Sequence, residues 1–178
     1  MTKALFFDID GTLVSFETHA IPASTIEALT IAHEKGIKIF IATGRPKAII
    51  NNLADIQDRG LIDGYITMNG AYCFVGDEVI YKSAIPAGEV RALAQVCEQK
   101  GYPCIFVGEH TISVCQPNKL VHDIFYDFLH VDEIPVKTFE EAVQEEIFQM
   151  TPFVTVEEET EIQPQIPNCE SGRWFPAF

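Results

Sequence analysis

Basic residues are scarce in this chain: 12 Lys and Arg face 26 Asp and Glu among 178 residues, a formal net charge of −14. A surface of that sign repels phosphate backbones and anionic headgroups, which argues against an electrostatic grip on nucleic acid or a membrane. Long apolar runs are missing too, and none approaches the roughly 20 residues a bilayer span needs. Met1-Thr2-Lys3 leads into an apolar run that reaches Asp8 too soon for a signal peptide. The five cysteines (Cys73, Cys97, Cys104, Cys115, Cys169) contain no C-x-x-C, and no His pair has metal-ligand spacing. Zinc and a disulfide framework are therefore not expected, and scattered thiols point to a reducing cytoplasm. Neither an internal repeat nor a low-complexity tract is present. What remains is 47% hydrophobic residues, enough apolar mass for a packed core.

The first third alternates strand and helix. Ala4 to Ile9 is a continuous apolar run ended by acid, the pattern of a parallel strand buried on both faces. Residues 23–35 carry Ile26, Leu29, Ala32 and His33 at helical spacing, with Pro22 and Ser24 at the start and Gly36 at the end. Ile37 to Thr43 reads as a second buried strand, and Gly44-Arg45-Pro46 turns it into a helix carrying Ile49, Ile50, Leu53 and Ile56. That order begins a parallel α/β sheet. Residues 65–68 read as a third strand, followed by an Asn69-Gly70 turn and a hairpin over 71–82 around Gly76-Asp77.

Near residue 84 the rhythm changes. A helix at 88–100, strands at 103–107 and 111–116, and an aromatic-rich helix at 118–129 are expected. A short helix at 139–146, a strand at 147–154, an acidic helix and a last strand at 170–177 complete the chain. Those strands are too close for parallel crossovers, so the second half reads as α+β, with a domain boundary at 83/84. From Phe139 to Gly172 there are nine Glu and no Lys or Arg. A solvated outer face explains that tract better than a metal site at Glu157-Glu158-Glu159, because consecutive helical residues point apart.

Chemistry concentrates at Asp8-Ile9-Asp10-Gly11-Thr12. Carboxylates two apart leave a strand on one side, at the carboxyl edge where open α/β sheets bind ligands. Two like charges there call for a shared cation or a proton, and Gly11 lets the chain turn back sharply. The second strand ends in Thr43-Gly44-Arg45 at the same edge. A hydroxyl, the amides of a glycine turn and a planar cation together make a phosphate cradle. A strand-ending acidic pair, a Thr N-cap and a surface Arg would be the bland alternative, and finding both features on successive strands disfavours it.

These segments, with Ile66-Thr67-Met68-Asn69-Gly70-Ala71, resemble the haloacid dehalogenase superfamily, and within it the Cof-type (type IIB capped) sugar phosphatases. The resemblance implies a Rossmann-like core in residues 1–83 and an inserted α+β cap in residues 84–178. It also implies a Mg²⁺-dependent phosphomonoester hydrolase acting on small phosphorylated metabolites, sugar phosphates foremost. Asp8 would be the nucleophile that becomes an aspartyl-phosphate, and Asp10 the general acid and then base. The Asp8 carboxylate and the Asp10 carbonyl would ligate Mg²⁺. Thr43, Gly44 and the amides of Ile9 and Asp10 would hold the phosphoryl group. Arg45 and Asn69 would lie near the leaving group, and Arg173 and Trp174 would face the sugar. Local positive charge is needed on so acidic a protein, since phosphate monoesters require acceleration of up to about 10²¹-fold.

The family's third-motif Lys and fourth-motif acidic pair have no counterpart here, so the core is expected to be incomplete. Its missing strands would come from the rest of a longer protein or from another chain. Residues 4–9 would then expose a hydrophobic strand edge, and the chain by itself would hydrolyse phosphate esters poorly. A non-catalytic phosphate- or metal-binding fragment is thus the second reading. A D-x-D glycosyltransferase is the third, disfavoured because the motif begins at residue 8 with no nucleotide-binding region before it. Calcium-loop spacing fails at Leu13 and His19.

Overall fold

The structure is a computed structural model and describes residues 3–175. The chain divides into two compact units, one ending at Ser83 and one beginning at Ala84. No helix among the described residues is long and apolar enough to cross a membrane.

The first unit is a five-stranded mixed sheet in the order β1 (Ala4–Phe7), β2 (Lys38–Ala42), β3 (Gly64–Thr67), β4 (Tyr72–Val75), β5 (Glu78–Lys82). β1, β2 and β3 run parallel, and β4 and β5 form the antiparallel hairpin expected around Gly76-Asp77. Between β1 and β2 lies α1 (Ala23–Glu34), which starts at Pro22 and ends where Gly36 adopts a φ of 74°. Its residues Leu29 and Ile26 pack with Ile39 and Ile41 of β2, Phe7 of β1 and Tyr65 of β3. One face of the sheet therefore carries the core of this unit.

Two expectations fail here. β1 is not buried on both faces. Among the described residues it pairs only with β2, so it is an edge strand, with Leu5 39% and Phe6 58% exposed. The single helix expected after Pro46 is instead a 3₁₀ turn at Lys47–Ile49 and a short α2 at Ala54–Gln57, broken where Ile50 is extended. Ile49, Leu53 and Ile56 are nevertheless all buried, as their spacing predicts.

The second unit is a three-stranded antiparallel sheet in the order β7–β6–β8, with β6 at Cys104–Gly108, β7 at Ile112–Cys115 and β8 at Ile147–Pro152. Helix α3 (Ala87–Lys100) and the short α5 (Phe139–Ala142) pack against it through Val90, Leu93, Ala94, Cys97 and Phe139. The aromatic-rich helix begins as α4 (Lys119–Val121) but widens into a π-helix over His122–Phe128. α6 (Val156–Ile162) carries the acidic tract. The strand expected at 170–177 is absent over 170–175, and residues 176–178 lie outside the described residues.

Candidate active site

Burial of Ile9 organises the first loop. Ile9 is fully enclosed, and its carbonyl accepts from the amides of Leu13 and Val14 at 3.0 and 2.9 Å. Leu13 and Val14 follow it into the core, so the chain doubles back within five residues. Gly11 makes the reversal with a φ of 75°, and a Cβ there would lie 2.6 Å from the Phe16 ring. Because Ile9 points inward, the alternation of extended backbone turns Asp8 and Asp10 outward together. Asp8 is exposed and Asp10 half-buried.

The second strand delivers the neighbouring pieces. Phe7 lies opposite Ile41 in parallel register, so both chains leave the sheet at the same edge. Buried Thr43 donates its amide to Ile66 O at 2.9 Å, and its Oγ1 accepts the Arg45 amide at 3.1 Å. From the third strand, Asn69 donates its amide to Thr43 O at 3.2 Å. A Cβ on Gly44 would sit 3.1 Å from Asn69 Oδ1, so the missing side chain is what admits that amide group. Asn69 itself has a φ of 54°, a left-handed conformation that Asn tolerates better than most residues.

Arg45 is 9% exposed and joins these loops. Its Nε and Nη2 donate to Asp10 Oδ2 and Oδ1 at 2.7 and 2.9 Å, and Nη1 donates to Ile49 O at 3.0 Å. The resemblance places Arg45 near the leaving group; in the structure its guanidinium lies on Asp10, the expected acid/base residue. The Ile9 amide donates to Asp8 Oδ1 at 2.8 Å. That leaves Asp8 Oδ2 with no hydrogen bond among the described residues. An exposed carboxylate oxygen and a backbone carbonyl two residues on are both oxygen donors, the chemistry that suits a hard cation.

The two remaining candidates belong to the second unit. Arg173 donates to Glu159 Oε2 at 2.7 Å and to Val154 O at 3.1 Å, while Trp174 packs edge-on to Phe125 and stays 47% exposed. In the same unit His122, Asp123 and Asp127 cluster on the π-helix, but Lys119 already bonds Asp123 at 2.5 Å and His122 contacts Asp127 at 3.4 Å. Of the acids in the tract, Glu158 accepts the Tyr102 hydroxyl and Glu159 the Arg173 guanidinium. Both carboxylates serve as internal hydrogen-bond partners. The Arg45–Asp10 pair was missed in the sequence; the one signal for it is that opposite charges stand three residues past the ends of two adjacent parallel strands.

The family profile of haloacid dehalogenase-like hydrolases matches residues 5–172. A Bacillus subtilis protein named "Putative phosphatase YkrA" is 29% identical over 97% of this chain, which spans 65% of that protein's length. The solved structure of BT4131, titled a HAD subclass IIB sugar phosphatase, is 75% identical with a TM-score of 0.93, covering 99% of this chain and 68% of that one. BT1666, a phosphatase of the same superfamily from Bacteroides thetaiotaomicron, is 34% identical with a TM-score of 0.81, covering 99% of this chain and 65% of its own. With the acidic pair, the threonine turn and the asparagine turn all inside the matched span, the chain belongs to the haloacid dehalogenase-like hydrolase family.

Proposed function

We propose that this chain carries the nucleophile and the acid/base residue of a Mg²⁺-dependent phosphomonoester hydrolase acting on small phosphorylated metabolites, sugar phosphates foremost, in the cytoplasm. The observation that carries the reading is the emergence of Asp8 and Asp10 from one strand end beside the Thr43-Gly44 turn of the next. Asp8, exposed, attacks phosphorus through a carboxylate oxygen. The Oδ–P bond forms as the bond from phosphorus to the leaving oxygen breaks, and Asp10 gives that oxygen its proton. Water then attacks phosphorus, gives its proton to Asp10 and frees the Asp8 carboxylate.

Thr43 suits a phosphoryl contact because its Oγ1 already accepts from Arg45 N, which leaves the hydroxyl proton to donate. Gly44 and the Ile9 and Asp10 amides extend the same cradle; the Ile9 amide exchanges its bond to Asp8 for one to a phosphoryl oxygen. Asp8 and the Asp10 carbonyl would hold Mg²⁺, which supplies the positive charge that an acidic protein lacks for a dianionic ester. We assign residues 1–83 as the core and 84–178 as the cap, with Trp174, whose ring is exposed, toward the sugar. Arg173, held by Glu159 and the Val154 carbonyl, would face the sugar with its remaining N–H groups.

Beryllofluoride binding and ester hydrolysis test this together. With Mg²⁺ the chain should give a bound ¹⁹F resonance that Asp8→Asn and EDTA each abolish. Phosphate release from a panel of sugar phosphates should fall to background in the same variant. Retention of both signals in Asp8→Asn would overturn the reading.

A further inference from the structure

Asp10 stands on a loop, and a carboxylate there can turn about two side-chain bonds unless something holds it. Proton transfer in both halves of the reaction needs one of its oxygens within hydrogen-bond reach of the reacting atom, so an unheld Asp10 would spend much of its time out of place. The structure supplies the hold. Arg45 meets both oxygens side-on, Nε to Oδ2 at 2.7 Å and Nη2 to Oδ1 at 2.9 Å, and this planar fork fixes the plane of the carboxylate as well as its position.

A fork is useful only if its own base is fixed, and Arg45 is tied at three further points. Nη1 donates to Ile49 O at 3.0 Å, the backbone amide donates to Thr43 Oγ1 at 3.1 Å, and the backbone carbonyl accepts from Met68 N at 3.4 Å. With the residue 9% exposed, this is not a surface arginine reaching out for a ligand. The Ile49 bond lies where the helix expected after Pro46 breaks, just before the extended Ile50.

We infer that Arg45 is a positioning residue, which acts on the reaction through Asp10 and does not contact the leaving group. This rests on the phosphatase reading above. Three of the five guanidinium N–H groups are engaged within the protein. The Thr43 hydroxyl and Gly44 amide on one side and the side chain of Arg45 on the other thus have separate tasks: the first pair serves phosphate, the second faces Asp10. Lysine at this position would keep the charge but could not grip two oxygens in one plane.

A double-mutant cycle tests the assignment. Arg45→Met should lower kcat for a sugar phosphate by roughly 10²-fold, within the range of general acid–base catalysis, with KM within about twofold of wild type. Arg45→Lys should recover part of that loss. In an Asp10→Asn background, Arg45→Met should cost nothing further, because the residue it acts through is gone. A raised KM with kcat kept, or losses that multiply in the double variant, would mean direct substrate contact and overturn the inference. A second measurement needs no turnover. A crystal structure of Arg45→Met should show the Asp10 carboxylate displaced while Thr43 and Gly44 stay in place; an unmoved Asp10, or collapse of the whole turn, overturns it. Hydrolysis that survives Asp8→Asn strikes at the phosphatase reading alone, and the crystal structure then still decides the clamp.

Discussion

Glu89 is a carboxylate in the first turn of α3 that no helix end on a surface would bury, yet it is 8% exposed. It is tolerated because donors surround it. The Asn168 backbone amide reaches it at 3.2 Å and the Cys169 thiol at 3.0 Å, and the Asn168 side-chain amide adds a further bond. The thiol bond, then the Asn168 bonds, hold the Glu89 carboxyl below the usual carboxylate range. In turn burial, and then the bond to Glu89, push the Cys169 thiol up to about 12, so it stays protonated and unreactive at neutral pH. The folded state thus binds fewer protons at Glu89 than the unfolded chain does. Its stabilisation is present above the unfolded value of about 4.3 and is lost as pH falls through the lower folded value. Thermal melts across pH should therefore show Glu89→Gln less stable than wild type at neutral pH, with the gap closing in acid. Curves that stay parallel down to strong acid would remove Glu89 as the anchor of residues 168–169.

At the scale of elements, α6 has only seven residues, too few to persist on propensity alone. It is held by its ends. Thr155 Oγ1 accepts the Glu158 amide at 3.3 Å while Glu158 Oε2 accepts the Thr155 amide at 2.8 Å, and α5 repeats the arrangement with Thr138 and Glu141. Glu158 also accepts the Tyr102 hydroxyl at 2.7 Å, a bond that pushes the tyrosine up to about 12. Thr155→Ala should cost about 1 kcal/mol of stability in denaturant titrations, the usual worth of an N-cap; no measurable loss would mean that packing of Ile162 alone sustains the helix. Part of the acidic tract that reads as a solvated face is therefore capping and pairing chemistry. The hairpin at Gly76-Asp77 and α3 were legible because turn residues and apolar period coincide there. The helix expected over 46–56 was not, since its apolar spacing is intact and the break at extended Ile50 leaves Ile49, Leu53 and Ile56 buried all the same. The π-helix was illegible for another reason: over seven residues an apolar period of 3.6 and a wider one place the same Ile124 and Phe125 inward. At the site, the sequence showed which residues meet at the sheet edge but not how they pair, because the Arg45–Asp10 contact joins positions 35 apart.

The two units have separate apolar cores, one around Ile39, Ile41 and Leu53 and one around Cys97, Phe106 and Phe139. The first is served on one face of its sheet by α1. On the opposite face Phe6 stacks on Phe40 with ring centroids 5.1 Å apart and is still 58% exposed, beside an edge strand whose Leu5 is 39% exposed. An edge with apolar side chains and unpaired backbone groups invites another strand, and enclosing one such side chain is worth about 1.5–3 kcal/mol. Against this stands a net charge of −14, which makes two copies repel. The two effects respond oppositely to salt, because screening weakens the repulsion and leaves apolar burial intact. Sedimentation of the 178-residue chain should accordingly show concentration-dependent association that grows with added salt, and Phe6→Lys should reduce it. Association that weakens with salt would point to ionic contacts instead. A chain that stays monomeric at every salt concentration would mean that charge outweighs the exposed strand under all conditions, and that β1 is a tolerated edge and not an adhesive one.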